Sequence, residues 1–120
     1  MRNVGKSYRD LIAWQRAMDL VAAIYRLTGS FPREEIYGLV SQMRRAAVSI
    51  PSNISEGQGR HGKAEFRHFL RQANGSLMEL ETQTLIAERL GYAAPESVAS
   101  ILRDSAEIGR VINGLLRSLQ

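Results

Sequence analysis

The sequence predicts an all-α protein, an up-down-up-down four-helix bundle, and three observations support this prediction. Apolar residues recur at spacings of three and four in four separate segments, as in helices buried on one face. Turns containing glycine or proline separate these segments. No stretch alternates apolar and polar residues as a half-buried strand would. The 120 residues suffice for one domain, predicted at 9–120 behind a flexible N-terminal segment at 1–8.

The first helix is predicted to run from Arg9 to Thr28, where Gly29 and the turn around Pro32 end it. Its apolar residues form two lines. The line assigned to the core is Leu11, Trp14, Met18, Val21, Tyr25 and Thr28. The second line is Ile12, Leu20, Ala23 and Leu27. A helix that is apolar on two sides needs two surfaces to pack against, so we expect Ile12, Leu20 and Leu27 to contact a second copy of the protein.

The second helix is predicted to begin between Arg33 and Tyr37 and to end near Gly57. Its apolar stripe is Ile36, Leu39, Met43, Ala46, Ile50, Asn53 and Gly57. Pro51 lies inside this stripe and should kink the helix, because a mid-helix proline removes one hydrogen bond. Asn53 is then expected to bond to a backbone carbonyl freed near Pro51. Val48 points away from the stripe and joins the predicted subunit interface, whereas Gly57 should let a neighbouring helix approach closely.

The third and fourth helices have the most regular apolar patterns. The third is predicted from Lys63 to Leu90 and ends at Gly91, and Pro95 fits the first turn of the fourth. The stripe of the third is Phe66, Leu70, Ala73, Leu77, Leu80, Thr84 and Ala87. The stripe of the fourth is Val98, Ile101, Ser105, Ile108, Ile112, Leu115 and Leu119.

The positive charge is concentrated in the middle of the chain. Residues 41–75 carry six Lys and Arg against two Asp and Glu, whereas residues 76–120 carry four against six. The residues predicted to contact nucleic acid are Arg44, Arg45, Arg60, Lys63, Arg67 and Arg71, of which the last three form a ridge at i, i+4 and i+8 on the third helix. The alternatives are a solvated face, or pairing of Arg44 and Arg45 with glutamates of a second subunit.

Catalytic and metal chemistry find little support in the sequence. The chain has no cysteine, and neither histidine has an acidic partner at evident triad spacing. Glu65 and His68 have the spacing used by di-iron bundles, with His61 as a third candidate ligand, but the motif occurs once. We therefore expect no enzyme activity, no metal and no cofactor. The absence of a membrane span or signal peptide predicts a cytoplasmic protein that does not bind membranes.

Several ordered blocks of residues carry a family resemblance. They are Asp10–Ala17, Phe31–Pro32 with Glu35, Tyr37–Leu39, Gln42–Gly57, Phe66, Phe69–Leu70, Gly75–Glu81 and Gly91–Tyr92. Together they closely resemble the bacterial four-helix-bundle family named after the protein encoded in 23S rRNA intervening sequences. The fourth helix matches only as a generic amphipathic helix.

The resemblance implies a homopentamer of four-helix subunits. The chain is also distantly similar to the accessory variability proteins of diversity-generating retroelements, which are basic pentamers that associate with RNA and a reverse transcriptase. We therefore expect a non-enzymatic, homopentameric scaffold that contacts RNA or an RNA-bound protein. The alternative is a protein-binding adaptor with no nucleic-acid role.

Overall fold

Four long α-helices make up most of residues 7–60 and 62–120, the part of the chain that the computed structural model describes. They are α1 Ile12–Thr28, α2 Leu39–Gly59, α3 Lys63–Arg89 and α4 Pro95–Ser118. Short 3-10 helices at Tyr8–Asp10 and Arg33–Glu35 precede α1 and α2, and no strand occurs within the described ranges. The all-α prediction is confirmed. Residues 1–6 of the N-terminal segment lie outside the described residues, whereas Ser7 caps the first 3-10 helix.

The helices form a square in which each packs against its neighbours in the chain. α1 contacts α2, α2 contacts α3, α3 contacts α4, and α4 closes the square against α1. Consecutive helices run antiparallel, because residues near the end of one meet residues near the start of the next. This arrangement matches the predicted up-down-up-down bundle. The α1–α2 and α3–α4 connections therefore share one end of the bundle, here called the connection end, and the α2–α3 turn lies at the opposite end.

The connection between α3 and α4 explains why α3 ends and α4 begins close to the predicted limits. Gly91 adopts a φ of +79°, and its N–H donates to the Glu88 carbonyl at 3.0 Å. The N–H of Tyr92 donates to the Ala87 carbonyl at 2.9 Å. This pair of bonds is a Schellman motif, which requires a residue that tolerates positive φ and so favours glycine. Pro95 occupies the first turn of α4, where its missing N–H costs nothing.

The core of α1 differs from the prediction. The buried residues are Ala13, Ala17, Leu20, Ile24 and Thr28, while Met18 and Tyr25 of the predicted core line are exposed. The core face runs between the two apolar lines, along a strip that contains two alanines. Alanine lets a helix approach its neighbours closely, so large residues come to lie on both flanks of the contact.

α2 begins later than predicted, at Leu39, and Ile36 of its predicted stripe is exposed. The backbone N–H of Leu39 donates to Glu35 Oε1 at 3.0 Å, so the side chain of Glu35 caps the helix from the preceding turn. A Cβ on Gly38 would lie 2.8 Å from this oxygen, and glycine leaves room for the carboxylate. The cap fixes where α2 starts.

α2 continues without interruption through Pro51, so its bend there stays a prediction. Asn53 Nδ2 donates to the Ser49 carbonyl at 2.8 Å. The carbonyl deprived of its partner by Pro51 belongs to Ala47, four residues before the proline. Asn53 therefore bonds to a neighbouring carbonyl of the same turn and not to the freed one.

Candidate functional site

Arg44, one of the residues predicted to contact nucleic acid, lies against α1. Its Nε donates to Thr28 Oγ1 at 2.9 Å, and its Nη2 donates to the Tyr25 carbonyl at 3.3 Å. The guanidinium carbon also sits 4.3 Å from the centre of the Tyr25 ring. A cation at the C-terminal turn of a helix interacts favourably with the helix dipole. Arg44 thus joins α2 to the end of α1, which leaves only part of its guanidinium for any ligand.

Arg60 and Arg67 also have partners within the protomer. Arg60 pairs with Glu56 at 2.6 Å and lies 5.2 Å from the centre of the Phe69 ring. Arg67 is half-buried, and its Nη1 donates a hydrogen bond to the carbonyl of Leu119 at the end of α4. Arg67 therefore helps to hold α4 against α3, and its substitution would disturb packing as well as charge.

Arg45, Lys63 and Arg71 are exposed. Among the described residues, none of the three has a side-chain hydrogen bond or an ion-pair partner. Lys63 and Arg71 lie on α3, whereas Arg45 projects from α2 beside the α1 contact. These three cations are the members of the predicted set that are available to an anionic ligand.

Two further cations, which were not predicted, adjoin the basic residues at the start of α3. Arg110 and Arg117 are exposed on α4, at a spacing of seven that places both opposite the core-facing residues. Asn74 bonds to Asn113 at 2.9 Å, so this part of α4 runs beside the first half of α3. The recurrence of Arg every seven residues on the polar face of the fourth helix was the signal available in the sequence. The α3–α4 basic surface is Lys63, Arg67, Arg71, Arg110 and Arg117.

The four residues assigned to a subunit interface do not share one surface. Leu20 is 1% exposed and belongs to the protomer's own core, so its assignment is corrected. Ile12, which is 56% exposed, and Leu27, which is half-buried, lie on the flank of α1 that faces α4. Val48 is 41% exposed and faces the outer side of the α1–α2 pair. The roles of Ile12, Leu27 and Val48 in an interface stay predictions.

An open apolar groove runs along the outer side of the α1–α2 pair. Its lower part, nearer the α2–α3 turn, is lined by Trp14, Met18, Val21, Val48 and Pro51, among others. Its upper part is lined by apolar residues that include Tyr25, Ile36, Tyr37 and Val48, together with Arg33, Arg44 and Arg45. Val48 lines both parts, so they adjoin at this residue. On its α1 side, this α1–α2 groove is lined mainly by residues of the apolar line that was predicted to face the core.

The serines around Pro51 have structural partners. Ser49 Oγ donates to the Ala46 carbonyl at 2.9 Å and also bonds to Ser76 on α3, and Ser55 Oγ donates to the Ser52 carbonyl at 3.0 Å. A Cβ on Gly57 would lie 2.7 Å from the Cβ of Phe69 on α3. These contacts give Ser49 and Ser55 structural roles, and the close helix approach predicted at Gly57 is present.

Glu35 links the two connections at the connection end. Tyr92 donates its hydroxyl to Glu35 Oε2 at 3.0 Å, while the other carboxylate oxygen caps α2. Tyr92 also packs on Phe31, with 5.4 Å between ring centres. The hydrogen bond to Glu35 raises the pKa of Tyr92 above its ordinary value, and partial removal from water and the charges of Glu35 and Glu34 act in the same direction. This cluster combines residues from three of the blocks that carry the family resemblance.

Of the three residues with the spacing of metal ligands, His61 lies outside the described residues. Glu65 and His68 are both exposed, and His68 Nε2 lies 3.2 Å from Gln72 Nε2. No group of three or more His, Cys, Asp or Glu side chains comes together as a metal site in residues 7–60 and 62–120. Glu65 and His68 are surface residues of α3.

The fold and its surfaces define an antiparallel helical bundle with a basic surface and an open apolar groove. Residues 9–114 match the model of the 23S rRNA-intervening sequence protein family, and the chain belongs to this family. The assignment confirms the resemblance inferred from the ordered sequence blocks. No functionally curated protein matches the chain.

A solved structure from Bacteroides thetaiotaomicron VPI-5482 has the same fold. It is described as a protein with unknown function from the S23 ribosomal protein family, and it is 23% identical to this chain. The alignment covers 88% of this chain and 96% of the other, with a TM-score of 0.82. The similarity supports the four-helix architecture.

A helix that crosses a bilayer needs about 20 consecutive, mostly apolar residues. In the described part of the chain, no helix is both long enough and apolar enough to cross a bilayer.

Proposed function

We propose that the protein is a non-enzymatic, homopentameric scaffold that resides in the cytoplasm and contacts RNA or an RNA-bound protein through its α3–α4 basic surface. The number of copies follows from the family resemblance. The observation that supports the RNA contact is the charge of these two helix segments. Residues 63–78 and 108–120 together contain five Lys and Arg and a single carboxylate, that of Glu65.

The chemistry of this surface suits a phosphate backbone. Four of its five cations are arginines, whose planar guanidinium groups can donate two parallel hydrogen bonds to one phosphate. Assembly of several copies would repeat the surface and strengthen its field. Because RNA binding would release counterions, its affinity should fall steeply as salt concentration rises.

The RNA contact can be tested by fluorescence anisotropy with a labelled short single-stranded RNA. The test variant is Lys63→Glu with Arg71→Glu, because both side chains are exposed and neither has a partner among the described residues. Arg67 is avoided because it bonds to α4. The control variant is Arg9→Glu with Arg26→Glu, which changes net charge equally at two exposed positions elsewhere. Both proteins are compared with the wild type at salt concentrations from about 50 to 200 mM.

We expect the test variant to lose about tenfold or more in affinity while the control keeps most of it, because local contacts and not net charge would determine binding. Equal losses in both variants would overturn the assignment to the α3–α4 surface. A wild-type protein that does not bind RNA at the lowest salt concentration would overturn the RNA contact itself.

The second candidate function, a protein-binding adaptor, is favoured by the open α1–α2 groove. Exposed apolar residues that gather in one groove beside charged residues are a feature of protein–protein contact sites. Native mass measured at low and high salt, with absorbance at 260 and 280 nm across the peak, separates the two functions. A pentamer that loses bound nucleic acid as salt rises supports the RNA scaffold, and a pentamer free of nucleic acid at every salt concentration supports the adaptor. A monomer would contradict the proposed self-association.

A further inference from the structure

We propose that the α1–α2 groove of one copy binds the outer face of α3 in the next copy, so that the assembly is built from two different surfaces of each protomer. This inference rests on the proposed self-association and adds which surfaces meet. The α3 ridge is defined as Met78, Thr82, Leu85, Ile86 and Leu90.

The distribution of exposed apolar residues supports the pairing. In the described part of the chain, the ten large apolar residues that are exposed are Ile12, Met18, Tyr25, Ile36, Tyr37, Val48, Met78, Leu85, Ile86 and Leu90. Five of them line the groove, four belong to the ridge, and only Ile12 lies elsewhere. Exposed apolar surface is thus collected into one concave and one convex feature. A single helix fits between two others in the way that helical peptides bind hydrophobic grooves.

The ridge has the geometry of a helix-packing face. Met78, Thr82, Leu85 and Ile86 follow one another at spacings of four, three and one, which places them on one side of α3. Met78 is 66% exposed, and Gly75 lies one turn before it. A Cβ on Gly75 would meet nothing within 4 Å, so packing within the protomer does not require glycine there. Glycine in a helix interior is unfavourable, and an approaching neighbour gives it a use.

The charges of the two surfaces are complementary. The upper groove is lined by Arg33, Arg44 and Arg45 and by no carboxylate. Residues 78–90, which contain the ridge, carry Glu79, Glu81 and Glu88 against a single cation, Arg89, and Glu81 accepts a hydrogen bond from Ser105 on α4. Glu79 is exposed. Opposite charges across a contact favour the correct pairing over others. A contact between the groove and the ridge is therefore more favourable electrostatically than a contact between two grooves or between two ridges.

The same charges argue against a symmetric dimer made by two grooves. Such a contact would bring the arginines of both copies together, and like charges at an interface are costly. A groove-to-ridge contact leaves a free ridge on one copy and a free groove on the other, so copies keep adding until the assembly closes into a ring. The upper groove and the ridge both lie toward the connection end. Neighbouring copies can therefore stand side by side at the same height, which favours closure.

A mixing experiment tests this pairing directly. The groove variant is Val48→Glu, and the ridge variant is Met78→Glu. Both side chains are exposed, so each variant should keep the helical content and unfolding midpoint of a folded protomer, checked by circular dichroism. The matched control is Ala99→Glu, which places the same charge at an exposed apolar position of α4 outside both surfaces. Native mass is measured for each variant, and a fluorescently labelled groove variant is then titrated with the ridge variant.

We expect each interface variant to be monomeric and the control to keep the wild-type mass. The mixture should show saturable one-to-one binding, because the intact ridge of the groove variant meets the intact groove of the ridge variant. Titration of either variant with itself should show none. An assembled wild type together with a mixture that fails to bind, or variants that keep the wild-type mass, would overturn the pairing while leaving self-association in place. A monomeric wild type would instead overturn the proposed scaffold.

Charge reversal supplies a second test if either glutamate variant unfolds. Arg45→Glu and Glu79→Arg alter exposed side chains of the groove and the ridge. Each should weaken assembly about tenfold or more, and the two changes in one chain should restore most of the loss, because the charges are exchanged across the contact. Losses that add in the double variant, or no loss in either single variant, would contradict the pairing.

Discussion

The two sides of α2 make contacts of opposite character. Toward α3, a Cβ on Gly57 would lie 2.7 Å from Phe69, and Ser49 bonds to Ser76, so small residues bring the two backbones together. Toward the outer side of α1, the large side chains of Met18 and Tyr25 remain exposed. One side is closed within the protomer, and the other is left as a groove.

The difference between these two sides shows that residue size, and not apolar character alone, determines which face of a helix is buried in the core. Glycine, alanine and serine permit close approach, and the large residues beside them fill the interior or are left at its edge. Large apolar residues that flank a strip of alanines are left partly outside the contact. A surface intended for another molecule can therefore resemble a core stripe in sequence.

The largest effect should come from comparing two residues of α1 that are close in sequence. Leu20→Ala should lower the free energy of unfolding by about 2–5 kcal/mol, because it leaves a cavity in the core. Met18→Ala, measured on dissociated protein, should change it by about 0.5 kcal/mol or less, since Met18 is exposed. Urea unfolding gives both values. Equal losses would mean that the groove side of α1 is as well packed as the core side.

The closed side of α2 can be tested at its tightest point. Gly57→Val should lower the free energy of unfolding by about 1–3 kcal/mol, because the added atoms would overlap Phe66 and Phe69. Gly59→Val is the matched control on the same helix, since a Cβ there meets nothing within 4 Å. Thermal or urea unfolding should separate the two variants. A Gly57 variant as stable as its control would show that α2 and α3 can move apart at little cost.

The start of α2, which bounds the groove at the connection end, depends on Glu35. Glu35→Ala should lower the free energy of unfolding by about 0.5–2 kcal/mol, because it removes the cap on Leu39. The bond from Tyr92 is lost as well. Glu34→Ala is the neighbouring control, as Glu34 is exposed. Denaturation of the two proteins side by side tests the difference, and a Glu34 variant that is the less stable would refute the role of the cap.

The smallest expected effect is a dependence on alkaline pH. The pKa of Tyr92 is raised in the folded protein, so the neutral phenol is favoured there relative to the unfolded chain. Its contribution to stability is therefore complete below the ordinary tyrosine pKa, about 10, and is lost as pH rises through the folded value. Tyr92→Phe should flatten the loss of stability above about pH 10. Unfolding midpoints of both proteins between neutral and alkaline pH provide the measurement, and identical slopes would contradict it.

Most of the fold could be predicted from the sequence because the core stripes of α3 and α4 keep one register along each helix. The predicted stripe residues from Leu70 to Ala87 of α3, and from Val98 to Ile112 of α4, are buried as their spacing indicates. α1 has two lines, and periodicity cannot show that the strip between them, with Ala13 and Ala17, faces inward. The family resemblance was also specific enough to be confirmed.

The surfaces were harder to predict because their members depend on distant partners. Arg44 bonds to Thr28, sixteen residues away, and Arg67 bonds to Leu119, fifty-two residues away. Such contacts follow from helix packing and leave no local pattern. Arg110 and Arg117 join the basic surface only because α4 runs beside the start of α3.

The shared carboxylate of Glu35 has a consequence for how the bundle opens. It caps α2 through one oxygen and binds the turn after α3 through the other, so neither connection can detach without disturbing its counterpart. Local unfolding at this end should therefore be cooperative across two segments far apart in the chain. In hydrogen exchange, the amides of Leu39 and Tyr92 should become exposed together, as parts of one unit that opens and closes as a whole.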